Sequence, residues 1–221
     1  MQFNLHQLEI LPGQRLIVHD LDWDAFRQVF GELSERRGLR VHYHNGTLEI
    51  MSSLPQHDYD RNIISDLIQT LLEELGREFC NAGSATFFNR NSGSGLEPDL
   101  CFYIEHEPVI RGKSRIELDG GDPPPDLVLE IDVTIAETNY ALYAAFGVPE
   151  LWRFDGKDLS IELLQPDGHY APSEESRQFP SFPLRQAIPH YLRQTKIDGR
   201  NATLRTFREW VRTVSPGQDV N

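Results

Sequence analysis

Asp126-Leu127-Val128-Leu129-Glu130-Ile131-Asp132-Val133 is the stretch on which the fold turns. It follows Pro123-Pro124-Pro125, which has no place inside a helix or a central strand and so fixes where the next element begins. The run reads as a strand. Leu127, Leu129, Ile131 and Val133 share one face, and Asp126, Val128, Glu130 and Asp132 share the other. Glu130 and Asp132 then stand on one side, about 7 Å apart at Cα given roughly 3.3 Å of rise per residue. Carboxylates in an otherwise apolar strand are costly to bury unpaired. They need solvent, a basic partner or a metal, and the strand alone leaves all three open.

Downstream, a helix is expected over 136–146, presenting Tyr140, Tyr143 and Ala144 ahead of Gly147. Strands follow at 150–154 and 159–164, joined at Asp155-Gly156, then a polar loop at 165–180 and two helices within about 181–215. The last carries Leu204, Phe207, Trp210, Val211 and Val214. Upstream, 100–104 reads as a buried strand, and 86–89 as a short strand in a polar, Gly-rich stretch. A long helix is expected over 59–79, from the stripe Ile63, Ile64, Leu67, Ile68, Leu71, Leu72, Leu75 and Phe79. Before it comes a loop with Pro55 and His57. Alternating runs on either side of Asn45-Gly46 predict a tight hairpin, because that turn needs positive φ at both central residues. A helix at 22–37, capped by Asp22 and ended by Gly38, opens the series. This order fits an α/β (α+β) fold, a mixed sheet flanked by helices, better than a sandwich or a bundle.

Composition bounds the function. The chain has 221 residues, 39% apolar and 25% charged, which suits one domain with a single core. No run of about 18 apolar residues points to a membrane span. No secretion signal is visible at Met1-Gln2-Phe3-Asn4, and cytosolic residence is expected. The two cysteines, Cys80 and Cys101, are expected to be buried thiols. A net charge of -13 argues against a protein that coats nucleic acid, whose affinity comes from basic contacts. It leaves room for an enzyme acting on nucleic acid, because a divalent-metal site needs carboxylates. Of the basic runs, Arg111, Lys113 and Arg115 lie between the two acidic strands and are best placed to meet phosphate. The Arg193 to Arg212 set suits helices docked on the core with their bases outward. His42 and His44 read as exposed residues of a hairpin strand.

Pro98-Asp99 precedes the strand at 100–104, and such an Asp taken alone is turn chemistry. If the two strands are neighbours, however, Asp99, Glu130 and Asp132 can converge on one divalent ion, Mg²⁺ or Mn²⁺. Four segments in order carry a resemblance. They are Asn45-Gly46-Thr47-Leu48-Glu49-Ile50-Met51 with His57, Glu97-Pro98-Asp99-Leu100, Pro125 through Thr134, and Tyr143-Ala144-Ala145-Phe146-Gly147-Val148-Pro149-Glu150-Leu151-Trp152-Arg153. Over about 20–165 the chain resembles a large bacterial family of putative restriction endonucleases within the PD-(D/E)xK nuclease superfamily.

The resemblance implies a restriction-endonuclease-like sheet core and a Mg²⁺-dependent phosphodiesterase site, with DNA as substrate. It makes Asp99 and Glu130 metal ligands, with the metal activating a water and stabilising developing charge. The lysine of the pattern, two residues after Glu130, is here Asp132, and no lysine lies between Lys113 and Lys157. Asp132 is then a third ligand or the mark of a degenerate site. Lys113 and Arg153 are the nearest bases in sequence. His57 either meets phosphate and the metal shell or anchors the helix start, the latter preferred. Glu49 is either a site acid or the polar side of its strand, again the latter preferred. The expectation is a metal-dependent DNA endonuclease. Its rival is a catalytically silent binding module on the same fold, with a small-molecule enzyme third. A homodimer fits a nuclease that cuts both strands.

Overall fold

The computed structural model describes residues 8–33, 39–52, 54–89, 93–131 and 137–215. Its first sheet grows outward from one turn. Asn45 and Gly46 have φ of 46° and 82°, and the chain reverses there to pair β2 (Leu39–His44) with β3 (Thr47–Ser52). β1 (Arg15–Val18) adds beside β3, and β6 (Ser94–Leu96) with β5 (Phe87–Asn89) beside β2, giving the antiparallel order β1-β3-β2-β6-β5. Over it lies α1 (Trp23–Leu33), whose start is capped by Asp22, Oδ1 accepting the Ala25 N–H at 2.8 Å. Phe26 of α1 stacks on Tyr43 at 4.2 Å. Gly95 permits this approach, since a Cβ there would meet the Phe26 ring at 2.8 Å. The expected end of this helix at Gly38 lies outside the described residues.

The second sheet is the mixed one. It contains β4 (Cys80–Gly83), β7 (Leu100–Tyr103), β8 (Leu127–Ile131), β9 (Glu150–Phe154), β10 (Leu159–Leu164) and β11 (Tyr170–Ser173), in the order β11-β10-β9-β8-β7-β4. β8 and β9 run parallel, and their crossover holds α4 (Glu137–Phe146). One face carries Leu100, Phe102, Leu129, Ile131, Trp152 and Phe154 against α2 (Pro55–Glu74), α5 (Leu184–Asp198) and α6 (Arg200–Val214). The other carries Cys101, Val128 and Leu151 against Leu142, Tyr143 and Phe146 of α4. Both faces are covered, so all five residues of β8 are buried, Glu130 included.

Several elements differ from expectation. α2 starts at Pro55 rather than near 59, because a proline in the first turn forfeits no helical hydrogen bond. His57 therefore sits in a helix, not a loop. The same helix ends at Glu74, and Gly76 then takes a positive φ of 62°. The connection 105–125 contains a short helix, α3 (Glu107–Ile110), and a 3₁₀ turn at Leu118–Gly120. Strands β1, β4, β6 and β11 were not anticipated; the last interrupts the expected loop at 165–180. α5 and α6 pack against α2, and Phe207 and Val211 join its core cluster. The bases on α6 are exposed as expected but paired with α2: Arg200 with Asp66 at 2.5 Å, Arg208 with Glu73 at 2.8 Å, Arg212 with Glu74 at 2.6 Å. Among the described residues no helix is long and apolar enough to cross a membrane.

Candidate active site

β7 and β8 bring two of the expected acids together. Leu100 pairs with Leu129 and Cys101 with Val128, so Asp99, one residue before β7, stands opposite Glu130 on the face of Cys101 and Val128. Each carboxylate is tied to the other strand. Asp99 Oδ2 accepts the Ile131 N–H at 2.8 Å, and Glu130 Oε2 accepts the Asp99 N–H at 3.4 Å. From α4, the Tyr143 hydroxyl donates to Glu130 Oε1. From the first sheet, Arg40 Nε donates to Asp99 Oδ1 at 3.3 Å. The site thus lies where the two sheets meet. Arg40 also buries its Nη2 without a hydrogen-bond partner among the described residues.

The electrostatics are those of like charges held close. Burial pushes the Glu130 carboxyl well above the usual glutamate range, and the adjacent Asp99 charge pushes it further, while the Tyr143 hydroxyl pulls the other way. Burial and the Glu130 charge push the Tyr143 phenol up in turn. A cation placed between the two carboxylates would relieve the like-charge cost that Glu130 bears. Next to them, His42 of β2 is buried, and its Nε2 meets the Glu97 carbonyl at 3.1 Å. A carbonyl only accepts, so Nε2 carries the proton. Burial lowers the His42 pKa, against the upward pull of Glu49 and Asp99. Glu97 accepts from the Val41 N–H at 3.0 Å and the Thr86 hydroxyl at 2.9 Å, tying the Pro98-Asp99 turn to β2 and β5.

The other expected residues divide. Asp132 lies outside the described residues. Glu49 faces His42 across the β2–β3 ladder and ion-pairs with Arg15 at 2.9 Å. No hydrogen bond among the described residues joins Glu49 or His57 to Asp99 or Glu130. The central basic set is spent elsewhere: Lys113 pairs with Asp122, Arg111 with Glu107, and Arg115 with Glu117. Lys113 and Arg115 line a cleft of about 820 Å³ with Trp23, Phe30 and Phe88, and that lining includes neither Asp99 nor Glu130. His42 is buried rather than exposed. Cys101 is buried and its thiol pushed up to about 12 by that burial, whereas Cys80 is only partly buried. Among the described residues no three His, Cys, Asp or Glu side chains form a metal-holding group.

Sequence reasoning missed Arg40 and Tyr143. Arg40 follows Arg36 and Arg37 in a basic run of the kind that is usually solvated, although it alternates with Leu39 and Val41 and so points to their opposite face. Tyr143 stands in one of the four segments of resemblance, but nothing local marks its hydroxyl as a partner of Glu130.

A family model described as Uma2, putative restriction endonuclease, matches residues 23–196. No curated protein matches the chain.

Proposed function

The chain belongs to the Uma2 family of putative restriction endonucleases, and from that premise we propose that it hydrolyses phosphodiester bonds of DNA with the help of a divalent cation, Mg²⁺ or Mn²⁺, held by Asp99 and Glu130. The observation that carries this reading is the approach of the buried Glu130 carboxylate to the partly buried Asp99 carboxylate, each bound to the main chain of the other's strand segment. The donor set fits such an ion. Both residues offer hard carboxylate oxygens, and a cation relieves the like-charge cost that raises the Glu130 pKa. Asp132, two residues after Glu130 in the sequence, is a candidate third ligand. Bound there, the cation supplies a water of lowered pKa and charge stabilisation at phosphate.

The chain itself does the orienting. The Ile131 N–H and Arg40 hold Asp99, and the Tyr143 hydroxyl holds Glu130, so both carboxylates are fixed in orientation by the chain. A second reading also has an observation behind it. Arg40 competes with a cation for Asp99, and together with the absent lysine this favours a catalytically silent nuclease-fold module. Titration of Mn²⁺ by calorimetry into the parent, Asp99→Asn and Glu130→Gln, alongside nicking of supercoiled plasmid, separates the two. The nuclease reading expects binding and nicking in the parent and neither in the variants. Binding without nicking on any DNA supports the silent module. A homodimer would place two such sites against the two strands of a duplex, and a dimer mass by light scattering is the expected result.

A further inference from the structure

The family pattern expects a basic side chain beside Glu130, and this chain has an acid there. We propose that Arg153, on the neighbouring strand, supplies that positive charge to the phosphate under attack; the assignment rests on the nuclease reading above.

The argument starts from register. β8 and β9 are parallel, and Glu130 pairs with Arg153. Residues paired across neighbouring strands project from the same face, with the strands about 4.8 Å apart. The pattern's own lysine would stand two residues along the strand, about 7 Å away on that same face. Arg153 therefore starts nearer to Glu130 than the missing group would. Across this face of four adjacent strands the residues run Asp99, Glu130, Arg153, Ser160.

Burial sharpens the point. Glu150, Leu151, Trp152 and Phe154 of β9 are buried, and Arg153 alone on that strand is partly exposed. β9 lies inside the sheet, between β8 and β10, where a charged side chain calls for a partner. Among the described residues no ion pair or side-chain hydrogen bond engages the Arg153 guanidinium; only its main-chain carbonyl accepts, from Ser160. The other cations near the acids in space or in sequence are committed: Arg40 to Asp99, Lys113 to Asp122, Arg115 to Glu117.

A guanidinium fits the task in one form and not another. It stays protonated and presents two parallel N–H donors to a pair of phosphate oxygens. It can therefore stabilise charge gathering on phosphorus oxygens but cannot take a proton from the attacking water. In the hydrolysis, a water oxygen forms the new P–O bond and the P–O bond to the leaving sugar oxygen breaks. The water gives up a proton to solvent and the leaving oxygen takes one from solvent. Arg153 gains and loses none.

The test uses plasmid nicking in Mn²⁺, with Mn²⁺ affinity by calorimetry as the control on the acid site. Arg153→Gln is expected to lower kcat by about 100-fold or more while leaving Mn²⁺ affinity within about twofold. Arg153→Lys is expected to restore about a tenth of the parent rate or better, and guanidinium ion is expected to raise the rate of Arg153→Ala, which a merely structural role would not produce. Should Arg153→Gln fail to fold, Arg153→Met keeps the side-chain stem and carries the same expectation. Nicking by the neutral variant within about threefold of a working parent overturns the assignment alone. A parent that nicks no DNA overturns the nuclease reading and this assignment together.

Discussion

Glu130 and Glu150 are the same residue type on adjacent strands of one sheet, both buried, and they do opposite things. Glu150 is surrounded by donors: Oε1 accepts the Trp152 Nε1–H at 2.5 Å, and Oε2 the Gln178 N–H at 3.0 Å. Burial pushes its carboxyl up, and these donors and the Ser176 hydroxyl pull it back. It clasps the segment after β11 to the sheet. Glu130 also meets burial, but its neighbour is another carboxylate, which pushes it further in the same direction. Donors around a buried acid make a structural clasp. A second acid beside it creates the like-charge cost that, on the proposed reading, a cation relieves. The exposed pairs between α2 and α6 are a third kind, each acid opposite a base, and add little at a solvent-facing rim.

The sharpest way to break this contrast is catalytic. Asp99→Asn or Glu130→Gln is expected to cut plasmid nicking on the order of a thousandfold, whereas Glu150→Leu leaves the acid pair in place and the protein that remains folded still nicks. Stability reverses the ranking. Glu150→Leu strands the buried donors around it and is expected to cost about 2–4 kcal/mol in urea unfolding. Tyr143→Phe tests the intermediate case, since it removes the hydroxyl that favours the ionised Glu130; Mn²⁺ affinity by calorimetry is expected to fall about tenfold.

A pH series sharpens the contrast further. Because the folded pKa of Glu130 is raised, the stability associated with it is fully present below the unfolded value of 4.5 and is lost as pH rises towards the folded value. Without divalent cation, Glu130→Gln is therefore expected to raise Tm by a few degrees at neutral pH and to leave it unchanged below pH 4.5. A constant difference at all pH values would show that charge is not the cause. The smallest effect belongs to the rim, where Arg208→Ala is expected to cost about 0.5 kcal/mol or less in the same urea experiment.

What the sequence showed and what it hid follow from where the information lies. The strand at 127–131, the Asn45-Gly46 hairpin, the helix at 137–146 and the strands at 150–154 and 159–164 carry strong local patterns and stand where expected. β4, β6 and β11 have the sequences Cys-Asn-Ala-Gly, Ser-Gly-Leu and Tyr-Ala-Pro-Ser, with no alternation to read. They are strands because a neighbour offers them a ladder. The early start of α2 was legible in Pro55, which favours a first turn, but the polar residues after it masked the signal.

By itself the sequence determined which residues share a face of each strong strand, the order of the two acids along the chain, and the resemblance to a nuclease family. Periodicity settles faces because side chains alternate every residue. Only the tertiary structure decided that Asp99 and Glu130 stand opposite one another, that Arg153 pairs with Glu130, and that Arg40 reaches Asp99 from another sheet. Neighbourhood and register come from pairing between distant segments and from the core each sheet face must cover, and neither is written in any local stretch of chain.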